Sequence, residues 1–337
     1  PQWLETYSRF AIESRILGCK LITNSLIGAT SEDYFKLKGK ELLDFIRQNN
    51  QNLRQRWIKL IDKSEIKYFP PLDLPKITVF CPLYAGQQYI EGFLKSMQEQ
   101  TIFDQCELII IDANSPENES QYIEEFMKEH ENVIYKRLDY RASVMETENM
   151  AIHMATGEFF AQACVDDRHH REYLEIMSKH LHYHEDIDLV YTDCLQTKKP
   201  NETVETNSSA GDYYEHSRNE FSPENMIKCL PGPMPMWKLS VHEKCGYFDE
   251  GLSYAGDWDI FLRMVAAGSK FKKIDIPLGL YYFNSEGLST STENQIPRGK
   301  EEAEVFFKHK NVFGEANYNK YKNYFSQFIR NENESTT

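Results

Sequence analysis

The chain of 337 residues lacks three features that would assign it to a membrane, disulfide-bonded or nucleic-acid-binding class. No apolar run approaches the roughly 20 residues needed to cross a bilayer. Its seven cysteines are scattered without a C-x-x-C pair, which favours reduced thiols. The net charge of −14 argues against a nucleic-acid partner, because such binding requires a basic face. We therefore expect a cytoplasmic protein, with peripheral association with the inner face of the membrane as an alternative.

The residue pattern divides the chain into three regions. Residues 1–70 are predicted to be rich in helices, and prolines at positions 70, 71 and 75 predict a linker after them. Residues 76–290 alternate apolar runs with amphipathic segments, and residues 291–337 form an aromatic, helical tail. The pattern predicts one central domain with a helical extension at each end. Because the first residue is Pro1 rather than Met, we expect the sequence to begin inside a longer polypeptide.

Four apolar runs in the central region, each followed by an amphipathic or helical segment, predict a largely parallel sheet covered by helices. The runs are KITVFCPLY, CELIIIDANS, NVIYKRLD and EFFAQACVDD. In such sheets ligands bind at the carboxyl ends of the strands. Tyr84, Asp112 and the pair Asp166–Asp167 are therefore expected to be neighbours, because each closes a strand.

Asp112 closes the second apolar run and is followed by Ala113, Asn114 and Ser115. One interpretation is an Asx turn, in which the aspartate only ends the strand. The other is a carboxylate at the ligand edge of the sheet, where it could accept a hydrogen bond from a nucleobase. The residues alone leave both interpretations open.

Two adjacent carboxylates, Asp166 and Asp167, follow the fourth run. They repel each other unless a cation or hydrogen-bond donors compensate. Because Mg²⁺ and Mn²⁺ take carboxylate oxygens as ligands, a metal site is one interpretation and an ordinary acidic turn is the other. His169 and His170 come next, and we expect them to lie near a helix start rather than to bind the ion.

Asp257 and Asp259 are placed at the start of a predicted helix near Trp258. A structural role is one interpretation, because helix N-termini favour aspartate through capping and through the helix dipole. A general base is the other. Gly256 and Trp258 suggest a tight loop beside an apolar wall, which would raise the pKa of a neighbouring carboxyl group.

Four segments, in order and at suitable distances, resemble the family-2 inverting glycosyltransferases of the GT-A fold. They are ITVFCPLYAGQQYIEGFLKSMQEQT, ELIIIDANSPENES, NMAIHMATGEFFAQACVDD and CGYFDEGLSYAGDWDIFLR, and the match covers about residues 76–289. The resemblance implies an α/β nucleotide-diphospho-sugar transferase fold, with a Rossmann-like, mixed, mostly parallel sheet flanked by helices. It also implies a nucleotide-sugar donor, most often a UDP-sugar, and Mn²⁺ or Mg²⁺ as cofactor.

The resemblance implies roles for individual residues. Its nucleotide-sugar contacts correspond to Leu83, Tyr84, Asp112, Asp166 and Asp167. Within that set, Asp112 would contact the base, whereas Asp166 and Asp167 would bind the metal ion. Asp257 is similar to the family's catalytic base, and Arg263 lies further along the same helix.

Three positions depart from the family's pattern. Cys164 stands where the first aspartate of D-x-D is expected, and Glu148 stands where an arginine often precedes Asn149. Asn284 lies about where a histidine is often found near the metal. These departures weaken the expected ribose contact and metal dependence. They leave an alternative function, a catalytically weakened GT-A module that binds a glycan or a partner enzyme.

The predicted function is metal-dependent, inverting transfer of a sugar to a glycan, a lipid-linked or another hydroxyl acceptor, in bacterial surface polysaccharide or glycoconjugate synthesis. Asp257 would deprotonate the acceptor hydroxyl. Trp237 and Trp258 are candidate acceptor contacts, because aromatic faces stack on sugar rings, although core packing explains both equally well. A sugar-nucleotide pyrophosphorylase is disfavoured, because no Gly- and Arg-rich phosphate loop follows the first strand.

Residues 1–45 resemble the C-terminal end of a GT-B glycosyltransferase of the family-4 type. Glu5 and Glu13 have its E-x7-E spacing, and ILGCKLITNSLIGA is similar to the strand that follows. About 40 residues are too few for a donor site, so we expect Glu5 and Glu13 to be non-catalytic here. The resemblance implies an upstream glycosyltransferase domain in a longer chain.

Overall fold

The computed structural model describes residues 41, 74–208 and 213–330. Contacts between residues divide the chain into two units, Pro1–Asp73 and Leu74–Thr337. The predicted N-terminal helices, with Glu5 and Glu13, lie outside the described residues. The account below therefore concerns the second unit.

The second unit is built from strands interleaved with helices. In chain order, its described part contains β1 (Ile77–Leu83), α1 (Gln87–Gln98), β2 (Cys106–Asp112), α2 (Glu119–Met127), β3 (Val133–Arg137), α3 (Val144–Met154), β4 (Phe159–Gln162), β5 (Arg168–His169), α4 (Tyr173–Tyr183), β6 (Leu189–Thr197), β7 (Met236–Lys238), α5 (His242–Cys245), α6 (Gly256–Ala266), β8 (Phe271–Tyr282), α7 (Gln295–Lys308) and α8 (Gly314–Arg330). The first four strands and the helices between them follow the predicted segments closely.

The strands form one sheet in the order β3-β2-β1-β4-β7-β6-β8-β5. Strands β3, β2, β1 and β4 run parallel, as the βαβ pattern of the sequence predicts. Strand β7 is antiparallel to β4 and β6, β8 is parallel to β6, and β5 is antiparallel to β8. The predicted α/β class, with a mixed and mostly parallel sheet, is confirmed.

The sheet is buried on both faces, which explains why its central strands are continuous apolar runs. On β1, Val79 and Cys81 belong to one hydrophobic core, whereas Phe80 between them belongs to the other. Helices α1, α2 and α4 complete the first core. Helices α3, α6, α7 and α8 complete the second, so the aromatic C-terminal segment packs on the sheet domain, for example through Phe325.

The second half of the sheet departs from the sequence prediction. A segment with three prolines in five residues, at 231, 233 and 235, offers no strand pattern, but β7 begins directly after Pro235 and lies between β4 and β6. A proline is tolerated just before a strand, because only its own N–H is missing. Strand β8 carries Lys272, Asp275 and Pro277, so it shows no apolar alternation, and its register with β6 shifts near Asp193.

The structure gives one observation on disulfide bonds and one on membrane-spanning helices. The six cysteines in the described part of the chain are free thiols. Among the described helices, none is long and apolar enough to span a membrane. The seventh cysteine, Cys19, lies outside the described residues.

Candidate active site

The carboxyl ends of β1 and β2 meet at one edge of the sheet. Leu83 and Asp112 are partners in the β1–β2 ladder and end their strands together. The Leu83 side chain packs in the first core and is only 1% exposed, so the predicted ligand contact of this residue would have to come from its backbone. Tyr84 is 38% exposed, and the guanidinium of Arg141 lies 4.0 Å from the centre of its ring. Tyr84 is therefore the more accessible of the two predicted residues.

The Asp112 carboxylate is buried and both of its oxygens accept hydrogen bonds. Oδ1 accepts from the backbone N–H of Ser115 at 2.7 Å, which is the turn-closing role. Oδ2 accepts from the Tyr135 hydroxyl at 2.7 Å and from Nη1 of Arg137 at 2.5 Å. A contact with a nucleotide base stays a prediction.

The turn between β4 and β5 gathers three side chains that could bind a metal ion. One ligand atom from each of Cys164, Asp166 and Asp167 lies within 4.8 Å of the others. Burial raises the pKa of both carboxyl groups, and the charge of Asp166 raises that of Asp167 further. Burial also raises the pKa of the Cys164 thiol, which keeps its sulfur protonated. Because hard cations prefer oxygen ligands, the donor set fits Mg²⁺ or Mn²⁺ on the two carboxylates.

Contacts from two sides hold this turn in place. The backbone N–H of Tyr282 on β8 donates to Oδ1 of Asp167 at 2.9 Å and fixes the orientation of that carboxylate. Arg168 is buried and donates to the carbonyl oxygens of Val165 at 3.0 Å and Asp167 at 2.6 Å. Its guanidinium passes over Gly92 of α1, where a Cβ atom would lie 2.5 Å from Nη2. Gly92 thus makes room for the arginine that shapes the turn.

The two histidines after the acidic pair are not grouped with it in the described part of the chain. His169 is buried against the ring of Tyr173, with 4.6 Å between ring centres. Burial lowers the pKa of His169 to about 3, so its imidazole is neutral. Nδ1 of His170 accepts from the backbone N–H of Glu172 at 3.2 Å.

Asp257 lies in the first turn of α6 beside an apolar wall. Its Oδ1 accepts from the backbone N–H of Trp258 at 2.7 Å, and its Oδ2 accepts from Sγ of Cys229 at 3.4 Å. Burial raises the pKa of the Asp257 carboxyl group, and these two donors offset only part of that effect. A raised pKa suits a general base, because it brings the proton affinity closer to neutral pH.

Asp259, two residues further along α6, has a different environment. Its buried carboxylate lies 2.8 Å from Nε of Arg263, from Nζ of Lys308 and from Nε2 of His309. Burial alone would raise the pKa of Asp259, but hydrogen bonds from these partners outweigh it and hold the pKa well below its usual range. Asp259 therefore joins α6 to the end of α7, whereas Asp257 has the surroundings of a base.

A cavity of about 700 Å³ opens beside Asp257. Eight aromatic side chains line it, namely Tyr214, Tyr254, Trp258, Tyr281, Phe283, Tyr321, Tyr324 and Phe325. Arg298 and Glu302 of α7 contribute an ion pair with 3.6 Å between Nε and Oε1. Aromatic faces with a few polar groups are the kind of lining that binds sugar rings.

The two tryptophans that the sequence suggested as acceptor contacts have different surroundings. Trp258 lines the cavity, and its indole N–H donates to the carbonyl oxygen of Met226 at 2.8 Å. Trp237 on β7 is wholly buried in the second core, and its indole N–H donates to Nε2 of His242 at 3.1 Å. The prediction for Trp237 is therefore corrected: its ring packs between elements of the core and is closed to a sugar.

The end of β8 connects the cavity with the turn that carries Cys164, Asp166 and Asp167. Tyr281 lines the cavity, and burial together with the charges of Asp167 and Asp166 raises its pKa. The next residue, Tyr282, holds Asp167 through its backbone N–H. Asn284, which stands where a histidine was expected, accepts from the backbone N–H two residues later at 3.0 Å and shapes a turn. The acidic pair and the cavity are thus adjacent parts of one site.

Sequence reasoning missed two residues of this site. No motif marks Cys229, which becomes a donor to Asp257 only in the fold. The sequence identifies Glu148 only as a departure from a pattern, but it is 1% exposed on α3 and carries no hydrogen bond from the described residues. A signal existed for Glu148, because it lies three residues after Met145 on the buried face of the helix, where a charge is unexpected.

Comparisons with known proteins agree with this geometry. The family model described as glycosyl transferase family 2 matches residues 78–242. An uncharacterized glycosyltransferase of Methanocaldococcus jannaschii is 22% identical over 205 residues, which are 60% of this chain and 69% of that protein.

Two solved structures share the fold. Residues 1–349 of TarS from S. aureus, in complex with UDP-GlcNAc, superpose with a TM-score of 0.57 at 17% identity over 71% of each chain. A mannosyltransferase from Pyrobaculum calidifontis, in complex with GDP-Man and Mn²⁺, superposes with a TM-score of 0.55 at 18% identity, over 76% of this chain and 69% of that one. At these identities the likeness establishes the fold.

Proposed function

Because the chain belongs to glycosyl transferase family 2, we propose that it transfers a sugar, with inversion, from a nucleotide sugar to a hydroxyl group of a glycan or lipid-linked acceptor. The observation that carries the proposal is the position of Asp257. This carboxylate has a raised pKa and lies beside an aromatic cavity that suits a sugar. The acceptor class corresponds to polysaccharide or glycoconjugate synthesis.

The donor nucleotide is proposed to bind at the carboxyl ends of β1 and β2. Tyr84 offers an exposed ring there for the base, and Asp112 offers a carboxylate that Tyr135 and Arg137 now hold. The ligands of the two similar structures, UDP-GlcNAc and GDP-Man, support a nucleotide sugar as donor. We propose a UDP-sugar as the first candidate to test.

The diphosphate of the donor is proposed to lie at the turn between β4 and β5. Asp166 and Asp167 would hold Mg²⁺ or Mn²⁺, which would neutralise the charge of the departing diphosphate. Arg168 keeps the turn in its shape and Tyr282 already orients the Asp167 carboxylate. The Mn²⁺ in the similar mannosyltransferase supports this assignment.

The acceptor is proposed to occupy the cavity beside Asp257, with Trp258 in its wall. Asp257 takes the proton of the acceptor hydroxyl as the oxygen attacks the anomeric carbon. The bond to the diphosphate breaks on the opposite face of the sugar, which inverts the anomeric centre.

A screen of nucleotide sugars tests the proposal. The purified chain is incubated with UDP-GlcNAc, other UDP-sugars and GDP-Man, with and without Mn²⁺, and released nucleoside diphosphate is measured. Release from one donor supports a transferase. Binding without release supports the alternative of a weakened module that binds glycans or partners, which Cys164 in place of an aspartate favours. Consumption of a nucleoside triphosphate with a sugar phosphate would support a pyrophosphorylase instead.

A further inference from the structure

The cavity beside Asp257 holds a second acid, Glu302 of α7. Its carboxyl group lines the cavity, and its side chain is 37% exposed, so it is open to a ligand. Arg298, one turn earlier on the same helix, lines the cavity too, with its Nε 3.6 Å from Oε1 of Glu302. The Arg298–Glu302 pair is therefore a polar patch in a cavity that eight aromatic side chains line.

Hydrogen bonds fix this part of α7 against the start of α6. Oε2 of Glu301, the neighbour of Glu302, accepts from the backbone N–H groups of Tyr254 at 2.6 Å and Ala255 at 3.1 Å. Ala255 directly precedes α6, which carries Asp257 in its first turn. Glu301 thus anchors Glu302 in a set position relative to the proposed base.

The Arg298–Glu302 pair keeps bonding capacity for a ligand. A separation of 3.6 Å is too long for a hydrogen bond, so the two groups attract each other without using up their donors and acceptors. Nη1 of Arg298 donates to the carbonyl oxygen of Ser289, which fixes the guanidinium against the segment after β8. Ser289 lines the cavity as well, so the pair is part of the cavity wall.

The chemistry of the pair suits hydroxyl groups. Burial raises the pKa of the Glu302 carboxyl group, the charge of Arg298 lowers it, and the charge of Asp257 raises it. In either protonation state the group bonds to hydroxyls, because the ionised form accepts and the protonated form also donates. The guanidinium donates to hydroxyl oxygens. A sugar ring matches this lining, since its apolar face packs on aromatic rings while its hydroxyls reach the pair.

We propose that Arg298 and Glu302 bind hydroxyl groups of a sugar ring in the acceptor and thereby determine acceptor specificity. This inference rests on the proposed function, and it identifies the unit that carries the reacting hydroxyl as a carbohydrate. A simple alcohol would fill the aromatic part of the cavity but would leave the polar groups of the pair without partners, which lowers affinity.

Binding of glycosides tests the inference without turnover. Methyl glycosides of glucose, galactose, mannose and N-acetylglucosamine, and 1-hexanol as a non-sugar alcohol, are titrated by saturation-transfer NMR, with and without UDP and Mn²⁺. We expect at least one glycoside to bind more tightly than 1-hexanol. Glu302→Ala should weaken that glycoside about tenfold, because its hydrogen bonds are lost, whereas Glu302→Gln should weaken it less.

Glu304→Gln is the matched control. Glu304 is an exposed acid on the same helix and, among the described residues, is outside the cavity lining. This variant should bind the glycoside as wild-type protein does. A loss in Glu304→Gln equal to that in Glu302→Ala would show that any lost charge on α7 has the same effect, and the inference would be wrong.

Deoxy analogues of the bound glycoside separate a direct contact from a structural effect. Removing a hydroxyl that bonds to Glu302 should weaken binding to wild-type protein about tenfold but change little in Glu302→Ala, because its partner is already absent. If every deoxy analogue loses the same factor in both proteins, Glu302 acts only on the shape of the cavity, and the inference is overturned.

The outcomes also separate this inference from the proposed function. If wild-type protein releases nucleoside diphosphate from a nucleotide sugar but binds no glycoside, or binds 1-hexanol as tightly as any of them, the inference fails and the proposed function stands. If it neither binds nor hydrolyses a nucleotide sugar, the proposed function fails. Glycoside binding that is lost in Glu302→Ala would then still establish the pair as a sugar-binding site.

Discussion

Replacing Asp257 with Asn tests the centre of the proposed mechanism. The asparagine oxygen can still accept from the N–H of Trp258, which the carboxylate now does at 2.7 Å, so α6 and the cavity wall should keep their shape. The amide cannot take a proton from the acceptor. General base catalysis contributes about 10²- to 10⁴-fold, or about 3–5 kcal/mol. We therefore expect the rate to fall about 10²-fold or more, with donor affinity within about twofold of wild type.

The assay combines initial rates of nucleoside diphosphate release with equilibrium titration of the donor in the presence of Mn²⁺. Asp259→Asn is the matched control, because Asp259 is on the same helix but its carboxylate, among the described residues, bonds to Arg263, Lys308 and His309 and not to the cavity side. It should turn over at a near-normal rate well below its melting temperature. Near-wild-type turnover in Asp257→Asn would show that another group removes the proton, and the assignment would be abandoned.

Three further predictions concern the same site. Asp259→Asn should lower the free energy of unfolding by about 2 kcal/mol at neutral pH, since its buried carboxylate loses its charge while the cations can turn to water. Because the pKa of Asp259 is lowered in the folded state, the difference in unfolding free energy between wild type and this variant should shrink as the pH falls below about 4. A difference that does not change with pH would contradict this prediction. Asp166→Ala should abolish the effect of Mn²⁺ on donor affinity, and an unchanged effect would remove this residue from the metal site. Cys229→Ala removes a donor that lowers the pKa of Asp257, so the acid limb of the kcat/KM profile should move to higher pH; a limb that stays or moves lower would count against the contact.

The first half of the sheet could be predicted from the sequence because its strands are buried on both faces. Such strands are unbroken apolar runs, for example CELIIID, and the helices between them have clear apolar stripes. The second half could not be predicted in this way. Strand β7 has three residues, and β8 is interrupted by charged residues and Pro277, so neither shows a readable period.

The candidate site likewise has one part that the sequence predicts and one part that only the fold reveals. The rule that ligands bind at strand ends brings Tyr84, Asp112 and the acidic pair to one edge, and the sheet register places them there. Trp237 and Trp258 could not be distinguished from the sequence, because burial of each depends on elements far away in the chain. Only the fold shows that both rings belong to the second core and that Trp258 also lines the cavity, whereas Trp237 does not.

The walls of the cavity come mainly from the chain after β7, whereas the strand-end acids and the metal-binding turn come before it. Asp257 is also in the later part, so the proposed base is encoded together with the residues that are proposed to bind the acceptor. Under the proposed function, exchange of the segment from α6 to α8 between related chains would therefore change the acceptor that is bound and replace the proposed base in the same step. The donor edge would stay intact, provided that the exchanged β8 still pairs with β6 and holds Asp167 through Tyr282, and that aromatic residues such as Phe306 and Phe325 still pack on the second core.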